Sequence, residues 1–415
     1  MNQMNRTSSK RDSHDKESCY DACVIGAGAS GLAAASALAM RGYRTVIVEQ
    51  NKKSGRKLYA TGNGRCNLAN AVLSDSAYYD NSFANSVVTE DARKDLILWL
   101  RKIGIPLISR GDYLYPKSMQ ASSVVWALTD AARFAGVEFL YESKVISIHE
   151  TEESDPRLWM ISISGKAEQS LTAKRLVLAT GSPAAQTLGA AKDNELSRLF
   201  NDLKLPVSPW HPALCPLETK EDMSFLAGVR SGCRMTLKET YVEEGEIQFT
   251  DYGISGIVTF NLATIAEPGD PISLNLLPEW QDEKEVLRFL REISLTRSAF
   301  GALNGFLHEK ICSHAIEQIC PGKGKRSLSE WKDEELLAVI RYLMAMPLTV
   351  KSKRGDQGQA YRGGILTEVL DPGTMQVKDR PNLAVTGEVS DVVGRCGGYN
   401  LMYALISGRL AGRNL

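Results

Sequence analysis

The spacing of apolar positions changes several times along the chain. Ala22-Cys23-Val24-Ile25 is an unbroken apolar run, the pattern of a strand buried on both faces. It enters Gly26-Ala27-Gly28-Ala29-Ser30-Gly31 and then a helix of small residues that ends near Arg41-Gly42. Thr45-Val46-Ile47-Val48-Glu49 is the next strand, so this segment reads as a compact β-α-β unit closed by an acid. Residues 51–87 are rich in Gly, Asn and Ser and read as a long functional loop. Helical spacing follows at 89–103 and 119–135, stopped by Gly104 and Gly136. Strand-like runs occupy 137–141, 145–149, 158–164 and 175–179, the last entering Thr180-Gly181.

After about residue 195 the texture changes. Met235, Leu237 and Tyr241 alternate with polar residues, and Ile247 and Phe249 follow Glu243-Glu244-Gly245, which predicts a hairpin. Ile272, Leu274 and Leu276 alternate in a further strand. Residues 282–346 turn helical, with Leu336, Leu337, Ile340, Leu343 and Met344 as one apolar stripe. Ser327 and Glu330 fit its capping box, and Pro347 its end. From about 355 the chain is glycine-rich; 383–388 reads as a strand feeding a loop, and 399–412 as a closing helix. We expect a disordered tail over 1–20, order beginning at Asp21, and one α/β domain built from 21–195 and 355–415. A β-rich insert (196–280) and its helical subdomain (281–354) lie between those two parts.

Composition narrows the class. At 415 residues the length points to about two or three domains. Lys+Arg and Asp+Glu are both 49, which excludes a globally basic nucleic-acid binder but not a local patch. Two such patches are Lys323-x-Lys325-Arg326 and Lys351-x-Lys353-Arg354, which Arg362 could extend toward RNA phosphates. The 8 cysteines contain no C-x-x-C, and the 5 histidines form no ligand pattern with them, so no metal site is expected. The first twenty residues carry no apolar core of a signal, and 31–40 is too short to span a membrane. A soluble protein of the reducing cytoplasm is expected, with no membrane partner; its oligomeric state is left open.

Three segments carry chemistry. In Gly26-x-Gly28-x-x-Gly31, the first glycine permits the tight turn, the second lets a pyrophosphate approach the backbone, and the third lets helix and strand pack. Phosphates would sit on the helix N-terminus, at Ala29 and Ser30, and Glu49, with Gln50 beside it, ends the strand that meets the ribose. The second segment runs from Gly55 to Leu68 and carries the cations Arg56, Lys57 and Arg65, suited to a pyrophosphate or a flavin edge. The third is Gly387-Glu388-Val389-Ser390-Asp391, running on to Gly397-Gly398-Tyr399-Asn400.

The chain resembles the BaiN/RdsA family of FAD-dependent oxidoreductases, also called the aminoacetone-oxidase-type family. The resemblance rests on Gly55-Arg56-Lys57-Leu58-Tyr59-Ala60-Thr61-Gly62-Asn63-Gly64-Arg65-Cys66-Asn67-Leu68, on Tyr115-Pro116-Lys117-Ser118, on Tyr252-Gly253-Ile254-Ser255-Gly256 and on the C-terminal segment, and covers nearly all of 21–415. It departs at Arg362, where a Thr is usual, at Cys396, and in its added polar tail. The resemblance implies a glutathione-reductase-type FAD-binding Rossmann domain formed by both chain ends. Asn63, Gly64, Arg65, Cys66 and Asn67, together with Val145 and Ala179-Thr180-Gly181, are then expected at the FAD. Gly387, Glu388 and Asp391 belong near its ribityl chain and phosphates, and Gly397, Gly398, Tyr399 and Asn400 near its ring. No second GxGxxG follows a strand, so NAD(P)H is expected only as a transient reductant.

The activity this implies is reduction of an activated C=C bond. The favoured substrate is a uridine of 23S ribosomal RNA, giving dihydrouridine. The alternatives are an unsaturated steroid or bile-acid intermediate, or oxidation of a small amine such as aminoacetone by oxygen. A flavin-bearing binding protein is the non-enzymatic reading. Such a reduction needs a proton donor, for which Cys66 ranks first and Cys396 second, with Tyr399, Tyr252 and Ser255 behind them. Ile257 stands where a nucleophile elbow needs glycine, which disfavours a hydrolase.

Overall fold

The computed structural model describes residues 19–79, 82–151, 158–165, 168–184, 186–293 and 296–415; most of the expected tail lies outside them. A six-stranded sheet runs in the order Gln376–Val377, Arg380–Val385, Leu176–Leu178, Ala22–Ile25, Thr45–Val48, Glu138–Leu140. Its long strands are parallel, with Val24 opposite both Ile47 and Val177, and Val177 opposite Ala384. The two ends of the chain therefore meet in one sheet. Leu176, Val177, Val24, Ile47 and Ala384 are fully buried, as expected of parallel strands covered on both faces.

Helix Ala29–Met40 packs along helix Tyr399–Asn414. Small residues set their separation: a Cβ at Gly408 would lie 2.2 Å from the Ser30 carbonyl oxygen, and one at Gly412 would lie 2.4 Å from that of Ala34. Cys19–Tyr20 pairs in parallel with Gln169–Ala173, at the edge of a four-stranded meander with Trp159–Ser164 and Lys144–Glu150. The described chain thus already pairs in a ladder at Cys19 and Tyr20, just before Asp21, which satisfies backbone groups there. Residues 51–87 are also less loop-like than their composition implied. They hold the 3-10 segment Leu58–Gly64, the helix Ser82–Val87 and the strand Ala69–Asn70, which joins a three-stranded sheet with Tyr113–Pro116 and Leu107–Arg110.

The insert is a closed barrel in the order Leu217–Thr219, Gly253–Ser255, Tyr241–Phe249, Arg230–Leu237, Pro271–Asn275, Met346–Lys353. Helices Glu283–Glu292, Ala299–Leu303, Glu309–Ile319 and Asp333–Met344 lie in the chain between its last two strands, so they interrupt the barrel in sequence. The stripe buries Leu336, Val339, Ile340 and Leu343, while Leu337 and Met344 are half-buried. The Ser327–Glu330 capping box closes the separate turn Leu328–Glu330; the long helix begins after Lys332, whose N–H is taken by Glu335. Two strands tie barrel to sheet domain: Val207–Ala213 pairs antiparallel with Ala360–Ile365.

Candidate active site

The turns that leave the parallel strands at their carboxyl ends converge on one cavity of about 920 Å³, the place where open α/β sheets bind ligands. Ile25 leads to the Gly26 turn, Val48 to Glu49, Leu178 to Ala179-Thr180-Gly181, and Val385 to the Gly387–Val389 turn. Gly26 has φ +104°, and a Cβ there would lie 2.5 Å from the Ala179 carbonyl oxygen. A Cβ at Gly31 would lie 1.9 Å from the Gly26 carbonyl oxygen, so Gly31 works by packing and is not on the cavity wall. Gly28 is extended, and a Cβ there would meet nothing within 4 Å: the backbone stands open to an approaching group. No side chain caps the helix that follows, which leaves its first N–H groups to a ligand.

Gly26, Gly28, Ala29, Ser30, Glu49, Gln50, Val145, Ala179, Thr180 and Gly181 all line the cavity. Glu49 is nearly buried, with Oε2 accepting from Ala27 N at 2.8 Å and Oε1 from Asn51 N at 2.8 Å. From the 55–68 loop, Arg56, Lys57, Asn63, Arg65 and Asn67 reach the wall. Lys57 Nζ pairs with Glu388 Oε2 at 2.5 Å. Among the described residues Glu388 Oε1 and Thr180 Oγ1 are buried without a partner, although both residues line the cavity. A dinucleotide fits this set: unpaired helix N–H groups and an open Gly28 for phosphates, a fixed carboxylate at the second strand, and two orphaned oxygens for hydroxyl or amide donors.

Cys66 is not on the wall. It is fully buried behind the loop with φ 59°, its N–H donates to Thr61 O at 3.0 Å, and burial, opposed by a bond to Thr61, pushes its thiol up to about 11. Its place is that of a packed small residue, so it does not face a substrate as the sequence reading expected. Gly64 is off the wall too. So is Gly387, where a Cβ would lie 2.6 Å from Ser30 Oγ. Asp391 Oδ1 instead holds Gly363 N at 2.8 Å and so ties the connecting strand, while the Tyr399 hydroxyl donates to Val72 O at 3.0 Å. Gly397, Gly398, Asn400 and Cys396 are on the wall. Of the remaining proton-donor candidates, Ser255 lines the cavity and Tyr252 does not; its hydroxyl bonds Gln357 Oε1 at 3.3 Å.

Several wall residues escaped the sequence reading. Tyr113 comes from the strand that leads into the quoted Tyr115-Pro116-Lys117-Ser118, whose Tyr115 also reaches the wall, and Phe260 and Ile257 come from a short helix of the insert. Burial, with Cys396 close by, pushes the Tyr113 phenol up. Burial and the Glu243 charge, opposed by Arg395, push the Cys396 thiol up to about 12. Both therefore hold their protons at neutral pH.

Four of the six cations in the basic clusters sit beside a carboxylate. Lys323 pairs with Glu335, Lys351 with Glu218 at 3.6 Å, Lys353 with Glu267 at 3.7 Å and Arg354 with Asp356 at 3.4 Å. Arg362 donates to Thr264 O at 3.3 Å. Among the described residues no group of His, Cys, Asp or Glu could hold a metal ion, and no helix is long and apolar enough to cross a membrane.

Residues 20–414 match the HI0933-like protein Rossmann domain. The chain is 32% identical over 415 aligned positions to the 3-dehydro-bile acid delta(4,6)-reductase of Clostridium scindens, covering 94% of this chain and 97% of that one. It is 27% identical to the ribosomal RNA dihydrouridine synthase of Escherichia coli, over 93% and 95% of the two chains. Among solved structures, the 3-ketosteroid-delta4-(5alpha)-dehydrogenase of Rhodococcus jostii RHA1 aligns over 97% of this chain and 98% of its own, at 15% identity and a TM-score of 0.49.

Proposed function

The chain belongs to the HI0933-like family and is an FAD-dependent oxidoreductase, and we propose that it uses NAD(P)H to reduce a C=C bond conjugated to a carbonyl in a small molecule of the cytoplasm. The two kinds of curated relative act on chemically similar bonds: a 3-oxo-4,6-diene and a uracil ring each present an electron-poor C=C next to a carbonyl. The observation that carries the reading is the cavity itself. It runs from the Gly26 turn to a wall built by the barrel, where Ser255, Ile257 and Phe260 meet Tyr113, Arg395 and Cys396. A small substrate would sit there beside the cofactor. The basic clusters add little support for RNA, because four of their six cations already pair with neighbouring carboxylates.

FAD, when bound, supplies hydride to the substrate. Ala29 and Ser30 at the helix N-terminus would hold its phosphates, Glu49 its ribose, and Lys57, Thr180 and Glu388 its polar chain. Tyr113 and Cys396 keep their protons and stand ready to deliver one to the carbon next to the carbonyl.

The test is anaerobic. NADH or NADPH should bleach the bound flavin, and a 3-oxo-4,6-diene steroid should restore its colour with loss of the diene chromophore. Reoxidation by ribosomal RNA alone would favour the dihydrouridine reading, and reoxidation by oxygen with amine consumption the oxidase. A flavin that neither nicotinamide reduces would end the reductase proposal.

A further inference from the structure

We propose that Arg395 receives the substrate's carbonyl oxygen, and that Glu243 and Asn261 of the insert are positioning residues that hold its guanidinium there. This rests on the reductase reading above.

Arg395 lies in the loop before the last helix, and its N–H donates to Ala77 O at 2.9 Å. Its side chain is on the cavity wall and 30% exposed. One guanidinium nitrogen, Nη2, donates to Glu243 Oε2. Glu243 sits on the barrel strand Tyr241–Phe249 and is 7% exposed. The same oxygen accepts from Asn261 Nδ2 at 3.0 Å. Asn261 turns its other atom, Oδ1, to the backbone N–H of Cys396 at 2.9 Å, and its carbonyl accepts from the Tyr79 hydroxyl at 2.7 Å. Glu243 on a barrel strand and Asn261 on the short helix of the insert thus grip Arg395 and the next peptide together.

A carboxylate this buried is costly without a cation, which explains why Arg395 is held. It does not explain a guanidinium on a cavity wall with donors to spare: among the described residues Nε and Nη1 have no hydrogen bond. Arginine's planar fork lets one edge stay on Glu243 while another meets a ligand in a fixed geometry, which lysine's single rotatable ammonium does not reproduce. Hydride arriving at the β-carbon moves the C=C electron pair onto the carbonyl oxygen as an enolate. A proton then adds at the α-carbon; the substrate gains two electrons and two hydrogens, and the reduced FAD that gave the hydride is oxidised. The negative oxygen of the enolate is the charge that a fixed cation best stabilises.

The test uses the FAD-loaded full chain. R395Q should keep its flavin and its rate of anaerobic reduction by NAD(P)H, yet its reoxidation by a 3-oxo-4,6-diene steroid should fall by about 100-fold or more. A saturated 3-oxosteroid, which cannot react, should perturb the wild-type flavin spectrum and bind R395Q at least about tenfold more weakly. R395K, with the charge but not the fork, should fall between, and guanidinium ion should partly rescue R395A. E243Q should lower the reoxidation rate at saturating steroid and weaken ketone binding less than R395Q does. Normal reoxidation and ketone binding in R395Q, or in R395K if R395Q fails to hold FAD, would overturn the assignment. Wild-type enzyme whose reduced flavin ignores every conjugated carbonyl would instead overturn the reductase reading.

Discussion

Alanine at Gly28 and at Gly31 should separate cofactor binding from packing within a single turn. Gly28 has φ −79° and ψ −171°, backbone that any residue adopts, and a Cβ there meets nothing within 4 Å. As an N-cap, alanine is somewhat poorer than glycine, but it also restricts the unfolded chain by about 0.4–1 kcal/mol. The apoprotein's stability should therefore move by no more than about 1 kcal/mol. The methyl group does, however, enter the space through which a pyrophosphate reaches the helix N–H groups. Loss of even one charge-assisted hydrogen bond is worth about 1.5–3 kcal/mol, or about ten- to a hundredfold in Kd. Gly31 behaves in the opposite way. Its Cβ would lie 1.9 Å from the Gly26 carbonyl oxygen and 3.2 Å from Ala179 Cβ, and the nearer obstacle is backbone. Overpacking of this kind costs about 1–3 kcal/mol or more, so the apoprotein itself should unfold at lower urea. Flavin-fluorescence titration measures the first effect and urea unfolding of apoprotein the second. Wild-type FAD affinity in G28A, or wild-type apoprotein stability in G31A, would refute the reasoning.

Removing Lys57 with K57M leaves Glu388 without its cation. The half-buried pair should cost the apoprotein about 1–2 kcal/mol in urea unfolding, partly recovered in K57M/E388Q; equal losses in both would show that the pair does not matter. The Cys396 thiol at about 12 is ionised to roughly one part in ten thousand at pH 8, so limited iodoacetamide should label exposed Cys19 long before Cys396, as read by peptide mass spectrometry. His314 stacks on Phe225 at 4.2 Å and bonds Tyr342 at 2.7 Å, and burial holds its pKa below 6.5. The unfolded chain then takes up that proton first, so stability should fall as pH drops below about 6.5 and flatten once the folded ring also protonates. H314Q should lose that component of the slope, and an unchanged slope in the variant would assign it elsewhere.

The cofactor half of this site was legible because its signals are local. A buried strand, a glycine turn, a small-residue helix and a second strand ending in Glu49 occupy twenty-eight consecutive positions, about the span in which periodicity speaks directly. The return of the chain to the same sheet through Arg380–Val385 was legible from one more short apolar run and the glycines after it. Cys66 shows where local reading stops. Its loop is diagnostic, but which side chains of a folded loop face inward depends on positive φ at Asn63 and Cys66, and no spacing rule sees that. The barrel was missed for a similar reason. Its closing strand, Met346–Lys353, pairs with Leu217–Thr219 across more than a hundred residues, and its apolar positions run straight on from a helix.

The wall proposed to meet the substrate depends almost wholly on such distant contacts. Glu243 and Arg395 lie 152 positions apart, and Asn261 and Cys396 lie 135 apart, yet together they build one wall. The Val207–Ala213 and Ala360–Ile365 pair anchors the barrel at both of its ends, and Asp391 locks that pair to the turn after Glu388. Barrel, connecting strands and cofactor turn are thus mechanically one unit at the cavity, while the barrel's side chains are free to differ without touching the phosphate-binding turn. On the proposed reductase reading, substitutions in the insert and in the loop around Arg395 would change the substrate while leaving the phosphate-binding turn untouched. The choice between a small conjugated ketone and a uracil ring as substrate would then turn on the residues around Arg395.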